Sequence, residues 1–339
     1  MVPLTTTELV ALSGLLVAAG EQVRGPLEAK LVTGGRSNLT YRVTDGSTSW
    51  AARTPPAAGR TSSAHDVGRE YRVCLALQHS AVPVARPVAQ DVGGETWGAP
   101  LAVFAWVDGQ VARSRSDTAG WSAAERDACV DALVRTLADL HAVDVDEVGL
   151  GGFARRDGYS VRQLNRWAAQ WREMGAVHPL ESRLRRRLDG RLPRQTRLSL
   201  VHGDYRIDNV LLHHADPGRV LAVVDWELST LGDPVGDLAV MAAYRHPALD
   251  GVLGLESAWA AEELADADEL RSRYEEATGR VVVDWPLHLA LAYYKLAGIA
   301  EGIAHRERMG AGSPPSGAAL AASVTAFLEA GLEVLGTPA

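Results

Sequence analysis

The sequence predicts an α+β protein of two lobes, a small β-rich N-terminal lobe followed by a larger and mostly helical C-terminal lobe. The chain has 339 residues, of which 47 % are hydrophobic, so it can bury a core large enough for two lobes. Short apolar runs separated by turn residues fill the first hundred residues, as in strands. After Gly109 the spacing of the apolar residues is that of helices.

The small lobe is predicted to be a sheet with one helix against it, after a first helix that begins near Thr5. Turn signals at Gly34-Gly35 and Asp45-Gly46 separate the first three strands. Pro83 and Pro87 interrupt the pattern before the last strand. The predicted strands cover residues 29–33, 39–44, 49–53 and 101–107, and the helix between the third and the last covers residues 66–78.

The large lobe is predicted to be a set of helices. Ser122-Ala123-Ala124-Glu125 has the form of a capping box, in which each of the two polar side chains bonds to the other residue's backbone amide, and it opens a helix to about residue 141. Further helices are predicted for residues 161–174, 180–188, 235–244, 258–278, 285–308 and 315–335.

The most informative segment is the polar loop 202–209, of sequence HGDYRIDN, which lies between apolar runs typical of buried strands. The two runs that follow it flank Asp216-Pro217-Gly218, which is a turn signal. We therefore expect a hairpin there that brings Asn209, at the end of the loop, close to Asp225.

This grouping of oxygen-bearing side chains predicts a phosphoryl-transfer site. Asn209 and Asp225 offer the oxygen ligands that Mg²⁺ prefers, and Mg²⁺ in turn bridges phosphates. Asp204 lies five residues before Asn209 and can meet an incoming hydroxyl. The alternative interpretation is an ordinary polar loop whose carboxylates stabilise turns.

The chain resembles the aminoglycoside phosphotransferase family, a small-molecule branch of the protein-kinase-like fold in which His-Gly-Asp replaces His-Arg-Asp. The motifs that carry the resemblance follow the family's order and span nearly the whole chain, at residues 33–38, 69–71, 202–209 and 232–239. The resemblance implies a bilobal protein-kinase-like fold. Its nucleotide-binding N-lobe would cover residues 1–106, and its helical C-lobe, with the catalytic loop and the acceptor site, residues 107–339.

The resemblance also implies ATP, with GTP possible, and Mg²⁺ as cofactors. Arg53 stands where the family usually has a strand lysine, with Glu70 as its helix partner, and the only lysines, Lys30 and Lys295, lie elsewhere. An arginine keeps its charge and can hold two oxygens, although a surface ion pair is the alternative. The expected nucleotide-binding residues are Gly34, Gly35, Ser37 and Asn38 near the phosphates, Arg53 and Glu70, and Phe104, Ala105 and Trp106 beside the base.

Within the catalytic loop, Asp204 is expected to orient the acceptor hydroxyl and Arg206 to steady the transferred phosphoryl group. Asn209 and Asp225 are the expected metal ligands. Asp237 is expected to support the loop through hydrogen bonds, whereas Glu227 fits either an additional metal ligand or a neighbouring support.

The acceptor is expected to be a hydroxyl of a small molecule, and its class stays open. The segment 225–234 looks most like the branch that is elsewhere fused to acyl-CoA dehydrogenases and linked to hydroxyacyl-CoA phosphorylation, and an antibiotic or other natural product is the alternative. The arginine-rich stretch 155–197 would suit a phosphate-bearing acceptor, whereas the acidic stretch 256–276 would suit an amine-rich one. A nucleotide-binding module without transfer activity and a metal-dependent hydrolase are the rival functions.

Composition and charge limit the binding partners and the cellular compartment that we expect for the protein. The net charge of −8 argues against nonspecific nucleic-acid binding, and no apolar run is long enough to predict a membrane span. Only two cysteines are present, which predicts no disulfide framework and favours the cytoplasm. The sequence does not predict an oligomeric state.

Overall fold

The structure, a computed structural model, describes residues 4–32, 38–56, 66–310 and 317–336. Its small lobe contains a five-stranded antiparallel sheet in the spatial order first, second, third, fifth and fourth strand. The elements of this lobe are α1 (Thr6–Ala18), β1 (Glu28–Leu31), β2 (Leu39–Thr44), β3 (Ser49–Thr54), α2 (Val67–Leu77), β4 (Pro87–Asp91) and β5 (Leu101–Ala105).

The small-lobe sheet is buried on both faces, as β5 shows. Leu101 and Val103 pack in a cluster that contains Leu12 of α1. Ala102 and Phe104, which point to the other face, belong to the main core that continues into the large lobe. A strand covered on both sides is a continuous apolar run, which is why β5 shows no alternation of apolar and polar residues.

The large lobe is mostly helical. Its elements are α3 (Arg115–Thr118), α4 (Ala123–Ala142), α5 (Tyr159–Glu173), α6 (Pro179–Asp189), β6 (Ser199–Val201), β7 (Val210–His213), β8 (Asp216–Val223), β9 (Thr230–Gly232), α7 (Pro234–Ala243), α8 (Leu249–Leu253), α9 (Ala267–Thr278), α10 (Trp285–Arg308) and α11 (Gly317–Glu333). The strands form two short antiparallel pairs, β6 with β9 and β7 with β8. The long central helix, α10, packs against α5, α6, α7 and α11.

The predicted fold class, two lobes of α+β type with a β-rich N-lobe and a helical C-lobe, is confirmed. The predicted capping box is confirmed as well: the Glu125 amide donates to the Ser122 hydroxyl at 3.2 Å, and the Ser122 amide donates to the Glu125 carboxylate at 2.8 Å. Within the described ranges, no helix is both long and apolar enough to cross a membrane.

The hairpin after the catalytic loop forms, but its turn is not where the sequence predicted it. His213 pairs with Asp216, so the connection is His214-Ala215, and Asp216-Pro217-Gly218 lies within β8. The register shifts there, and the Gly218 amide donates to the Asp216 side chain at 3.0 Å. Because proline cannot donate to the ladder, the Asp-Pro-Gly segment forms an irregularity in the strand instead of the turn.

The predicted helix 258–278 was wrong in its first half, since α9 begins only after Asp266. Asp266 and Glu269 form a capping box that starts the helix at this point. Before it, the guanidinium of Arg245 donates to the carbonyls of Ala261, Leu264 and Ala265 at 2.7–3.0 Å. These carbonyls therefore have partners without a helix.

Strand β4 was not predicted, because the prolines that precede it indicated a break. Pro87 is its first residue, and β4 is an edge strand of the sheet. The missing amide of a proline costs little at the start of an edge strand.

The packing of α1 on the sheet leads to a test of the small lobe. Leu12 is fully buried, whereas Val10 on the same helix is 67 % exposed. We expect Leu12→Ala to lower the free energy of unfolding by about 2–5 kcal/mol, because it removes buried apolar contacts and leaves a cavity. Val10→Ala, the control, should change it by no more than about 0.5 kcal/mol. Urea denaturation would measure both, and equal effects would contradict the described packing of α1.

Candidate active site

The catalytic loop begins after β6 and is fixed by a buried carboxylate on α7. Asp237 accepts the backbone amides of His202 at 2.5 Å and of Gly203 at 2.8 Å, and the His141 ring lies 3.4 Å away. Burial raises the pKa of Asp237, but the hydrogen bond and charge of His141 and the amide of His202 outweigh it, so the pKa lies below its ordinary value. The predicted support of the loop by Asp237 is therefore confirmed as a contact.

The loop requires glycine at position 203. Its φ is +81°, a region that other residues rarely adopt, and a Cβ atom would lie 2.7 Å from the carbonyl oxygen of Leu228. His202 holds the loop from the other side. Its Nε2 lies 2.9 Å from the carbonyl oxygen of Val224, and the Asp204 amide is 3.2 Å from its Nδ1.

Asp204 is held by two side-chain donors. The Asn209 amide nitrogen donates to the Asp204 carboxylate at 2.9 Å and to its carbonyl at 2.7 Å. The hydroxyl of Tyr244, at the end of α7, donates to the other carboxylate oxygen. The side chain remains 19 % exposed, so a fixed carboxylate reaches the surface of the loop.

Arg206 lies beside Asp204, with its Nε 3.9 Å from a carboxylate oxygen. It also pairs with Asp208 and lies over the ring of Tyr244, 5.0 Å from the ring centre. Burial lowers the pKa of Arg206, but the nearby negative charges, led by Asp208 and Asp204, together raise it by more than burial lowers it. The side chain therefore stays charged. A fixed positive charge thus stands next to the carboxylate expected to meet the acceptor.

Asn209 and Asp225 come together at the base of the hairpin, as predicted. The Val224 amide donates to the Asn209 carbonyl at 2.9 Å, and Asp225 is the next residue. Asp225 has a left-handed backbone with φ of 67°, a conformation that costs energy in most residues but is tolerated by aspartate. This conformation marks a position where the direction of the side chain is constrained.

The two residues fit a magnesium ion by their chemistry. Both hydrogen bonds of the Asn209 side chain run through its nitrogen, so in the described part of the chain its oxygen keeps both lone pairs available. The Asp225 carboxylate is 28 % exposed and has one oxygen near Arg53. An amide oxygen and a carboxylate oxygen that leave room for water and phosphate are typical of protein-bound Mg²⁺.

Arg53 joins the small lobe to this site. Its Nε lies 3.0 Å from the Glu70 carboxylate, although the two groups are not aligned as a hydrogen bond, and its Nη2 donates to Asp225 at 3.2 Å. The backbone amide of Asp225 also acts on the Glu70 carboxyl, whose pKa it lowers against the larger effect of burial. The side chains of Arg53 and Glu70 are only 13 % and 4 % exposed, so the predicted pair is not a surface ion pair.

The remaining nucleotide-binding candidates are described only in part. Gly34, Gly35 and Ser37 lie outside the described residues. Asn38 is buried, and its amide nitrogen is 3.5 Å from the Glu227 carboxylate.

The expected base-binding residues lie at the end of β5, where the two lobes join. Phe104 is buried with its ring 5.9 Å from that of Tyr71. The amides of Ala105 and Trp106 donate to the carbonyls of Arg86 and Ser49 at 2.8 and 3.1 Å. A base at this joint would therefore meet backbone groups other than these two amides.

Three residues of the site were missed from the sequence. Tyr244 and Asp208 contact Asp204 and Arg206, and Lys295 of α10 donates to the Gly203 carbonyl. Asp208 lies within the loop motif and could have been found there. Tyr244, at the end of α7, is 40 residues away from its partner along the chain, and Lys295 on α10 is 92 residues away from its partner. No local sequence pattern marks either of them.

The fold and the site together define a bilobal, protein-kinase-like phosphotransferase. The sequence model of the phosphotransferase enzyme family matches residues 28–286, and the chain belongs to this family.

Among known proteins, the chain is 35 % identical to acyl-CoA dehydrogenase family member 11 of Gallus gallus over 324 residues. The match covers 93 % of this chain but only 41 % of the chicken protein. Family member 10 of Mus musculus is 32 % identical over 308 residues, which cover 89 % of this chain and 28 % of that protein. The chain thus spans less than half the length of these curated relatives.

Solved structures agree with this assignment. A Ralstonia eutropha protein proposed to be an aminoglycoside phosphotransferase is 33 % identical, with a TM-score of 0.82 and coverage of 96 % of this chain and 97 % of that one. The aminoglycoside phosphotransferase APH(4)-Ia, in complex with ADP and hygromycin B, shares the fold at 14 % identity, with a TM-score of 0.61 and coverage of 96 % and 99 %.

Glu70 gives the stability of the protein a pH dependence with a definite sign. The pKa of Glu70 is raised to about 7, because the effect of burial is larger than the opposite effect of the Arg53 charge. In the unfolded chain its pKa is about 4.3. The folded state binds the Glu70 proton more tightly than the unfolded chain does. The contribution of this proton to the free energy of unfolding is therefore complete below the unfolded pKa and is lost as the pH rises through about 7.

We therefore expect wild type to lose stability relative to Glu70→Gln as the pH rises from about 4.5 to about 8, the window that these two pKa values set. Urea denaturation of both proteins over this range would measure the difference in free energy of unfolding. A difference that stays constant with pH, or that changes in the opposite direction, would show that Glu70 is not held in this way.

Proposed function

We propose that the protein is an ATP- and Mg²⁺-dependent kinase that transfers the γ-phosphoryl group to a hydroxyl of a small molecule, with GTP as a possible second donor. One observation carries the proposal: Arg53 contacts both Glu70 and Asp225, and so brings the nucleotide-facing small lobe onto the loop that holds Asp204 and Asn209. A fold relative bound to ADP supports the use of a nucleotide.

The chemistry assigned to each residue follows from its surroundings. Asp204, fixed by Asn209 and Tyr244, orients the acceptor hydroxyl and takes its proton as the phosphoryl group arrives. Arg206 and Arg53 supply fixed positive charge for the oxygens of the transferred group and of the donor phosphates. Asn209 and Asp225 would hold Mg²⁺, which neutralises phosphate charge when bound.

The rival functions make different use of the same groups. A metal-dependent hydrolase needs no cation from a second lobe, whereas here Arg53 reaches the metal-binding aspartate. A module that binds nucleotide without transfer needs no fixed carboxylate at position 204, whereas Asp204 is held by two donors. Both observations favour transfer.

We propose a hydroxyacyl-CoA-like compound as the acceptor, with an antibiotic or other natural product as the second candidate. The first rests on the relatives named for acyl-CoA dehydrogenases, and the second on a neighbour that is a macrolide 2'-phosphotransferase.

Cys74 and Cys129 are buried and free, which supports our placement of the protein in the cytoplasm.

Asp204→Ala tests the transfer step. The variant lacks the group that orients the hydroxyl and accepts its proton, so we expect kcat to fall by about 10² to 10⁴-fold. The affinity for Mg-ATP should be unchanged. A screen of hydroxyacyl-CoAs, aminoglycosides, macrolides and nucleoside antibiotics, read by the mass of the phosphorylated product, would first identify an acceptor. Unchanged turnover in the variant would remove Asp204 from the mechanism.

Asp225→Ala tests the metal site separately. We expect it to weaken ATP binding by about tenfold or more when Mg²⁺ is present, because a direct oxygen ligand is lost. Without Mg²⁺, the loss should be much smaller. Asp216→Ala, which changes an exposed aspartate on the same hairpin, is the control. Calorimetry with and without the metal would measure both, and a loss that does not depend on Mg²⁺ would contradict the role of Asp225 as a ligand.

A further inference from the structure

Lys295 is a buried cation without an ionic partner. It is 5 % exposed on α10, and its ammonium donates to the carbonyl of Gly203. Within the described residues, no carboxylate lies within 4.0 Å of it, and the remaining residues include no Asp or Glu. An ammonium has three donors, and a buried charge is costly unless it is paired. The structure thus places the ammonium of Lys295 beside the catalytic loop without a direct ionic contact.

The ammonium of Lys295 lies on the wall of a small pocket beside the catalytic loop, with a volume of about 10 Å³. Gly203, which precedes Asp204, also lines this pocket, as do Arg166 and Trp167 of α5. Trp167 is also 5 % exposed, and its indole nitrogen has no acceptor in the described part of the chain. Two buried donors with unused capacity therefore line one pocket.

Charges of both signs act on Lys295, and Arg166 is the one among them that also lines the pocket. Burial lowers the pKa of Lys295, Asp204 and Asp237 raise it, and the nearby charges of Arg166 and Arg206 lower it again. Arg166 also lowers the pKa of Arg69 in the small lobe, after the larger effect of burial. Neither Arg166 nor Arg69 has a carboxylate within 4.0 Å among the described residues, so Arg166 brings uncompensated charge from the arginine-rich stretch to the pocket.

The acidic stretch, by contrast, uses part of its charge within the protein. Asp266 and Glu269 cap α9, and Asp268 pairs with Arg271. Of the two stretches that pointed to opposite acceptor classes, the basic one contributes to this pocket through Arg166, and none of the described residues that line the pocket is acidic.

We propose that the acceptor carries an anionic group, a carboxylate or a phosphate, one oxygen of which enters this pocket against Lys295 and beside Arg166 while the hydroxyl of the acceptor faces Asp204. This inference rests on the proposed function, since it concerns the acceptor of that reaction. The anion meets Lys295, a cation that is already desolvated, so this lysine gives up little hydration on binding. An amine-rich acceptor would instead bring like charge to Lys295 and is excluded from the pocket.

A purely positioning role of Lys295 predicts other results. Asp237 holds the amide of Gly203, and Lys295 holds its carbonyl, so Lys295 could serve only to fix this peptide. In that case the side chain would not respond to anions.

The chain offers a direct test because it has only two lysines, Lys295 and the exposed Lys30 of β1. With ¹³C-labelled lysine, NMR shows one signal for each side-chain end, and Lys30→Met assigns them. We would titrate, at constant ionic strength and without nucleotide, inorganic phosphate, glycerol 3-phosphate with glycerol as its neutral match, and 3-hydroxybutyrate with 1,3-butanediol as its match.

We expect a saturable shift of the Lys295 signal with at least one anion, no such shift with its neutral match, and no shift of Lys30. The phosphate and carboxylate arms show which anion the pocket takes. Equal responses of both lysines, equal responses to an anion and its match, or no saturable response of Lys295 would overturn the proposal.

Variants distinguish an anion-binding role of Lys295 from a purely positioning role. Lys295→Met and Arg166→Gln should each weaken binding of the effective anion by about tenfold or more, because a charge-assisted contact is lost. Lys30→Met should not. Arg166 is exposed, so its variant tests the pocket even if Lys295→Met does not fold. Slower turnover in Lys295→Met, with anion binding unchanged in Arg166→Gln, would show that Lys295 has only the positioning role. Intact anion binding without any phosphoryl transfer would instead refute the proposed function.

Discussion

The contact of one arginine with two carboxylates holds the two lobes in the arrangement on which the site depends. Arg53 of β3 meets Glu70 of α2 and Asp225, which is 172 residues away along the chain. A planar guanidinium can contact two carboxylates at once, which the compact charge of a lysine does less well. Because Arg53 and Glu70 are buried and Asp225 is only partly exposed, removing one of the three takes a partner from a poorly hydrated group, so the contact favours one relative position of the lobes.

Below this contact, the catalytic loop is a set of polar groups that bond to one another. Asp237 takes two successive amides, His202 bonds to the carbonyl before Asp225, and Asn209 and Tyr244 share the carboxylate of Asp204. In a buried setting such bonds are strong, and a broken one is costly, so the network favours one geometry. The same rigidity positions the pocket of Lys295, since its ammonium bonds to the peptide of Gly203.

Much of this could be predicted from sequence because the informative spacings are local. Asp204, Asn209 and Asp225 lie within one loop and hairpin, and Arg53 and Glu70 follow from their places on a strand and the next helix. The failures involve distant partners or competing local bonds. The residues before α9 have a helical pattern, but Arg245 bonds to their carbonyls, and Asp216-Pro217-Gly218 distorts a strand instead of turning the chain. Tyr244 and Lys295 face the site only through tertiary packing, which no local pattern encodes.

The central claim, that Asp204, Asn209 and Asp225 serve one phosphate site beneath Arg53, is tested most directly by a crystal structure with Mg²⁺ and a nonhydrolysable ATP analogue. The account predicts a metal ion bound by the side-chain oxygens of Asn209 and Asp225, phosphate oxygens against Arg53, and the terminal phosphate facing Asp204. A nucleotide bound away from these residues, or a metal ion that touches neither Asn209 nor Asp225, would contradict it.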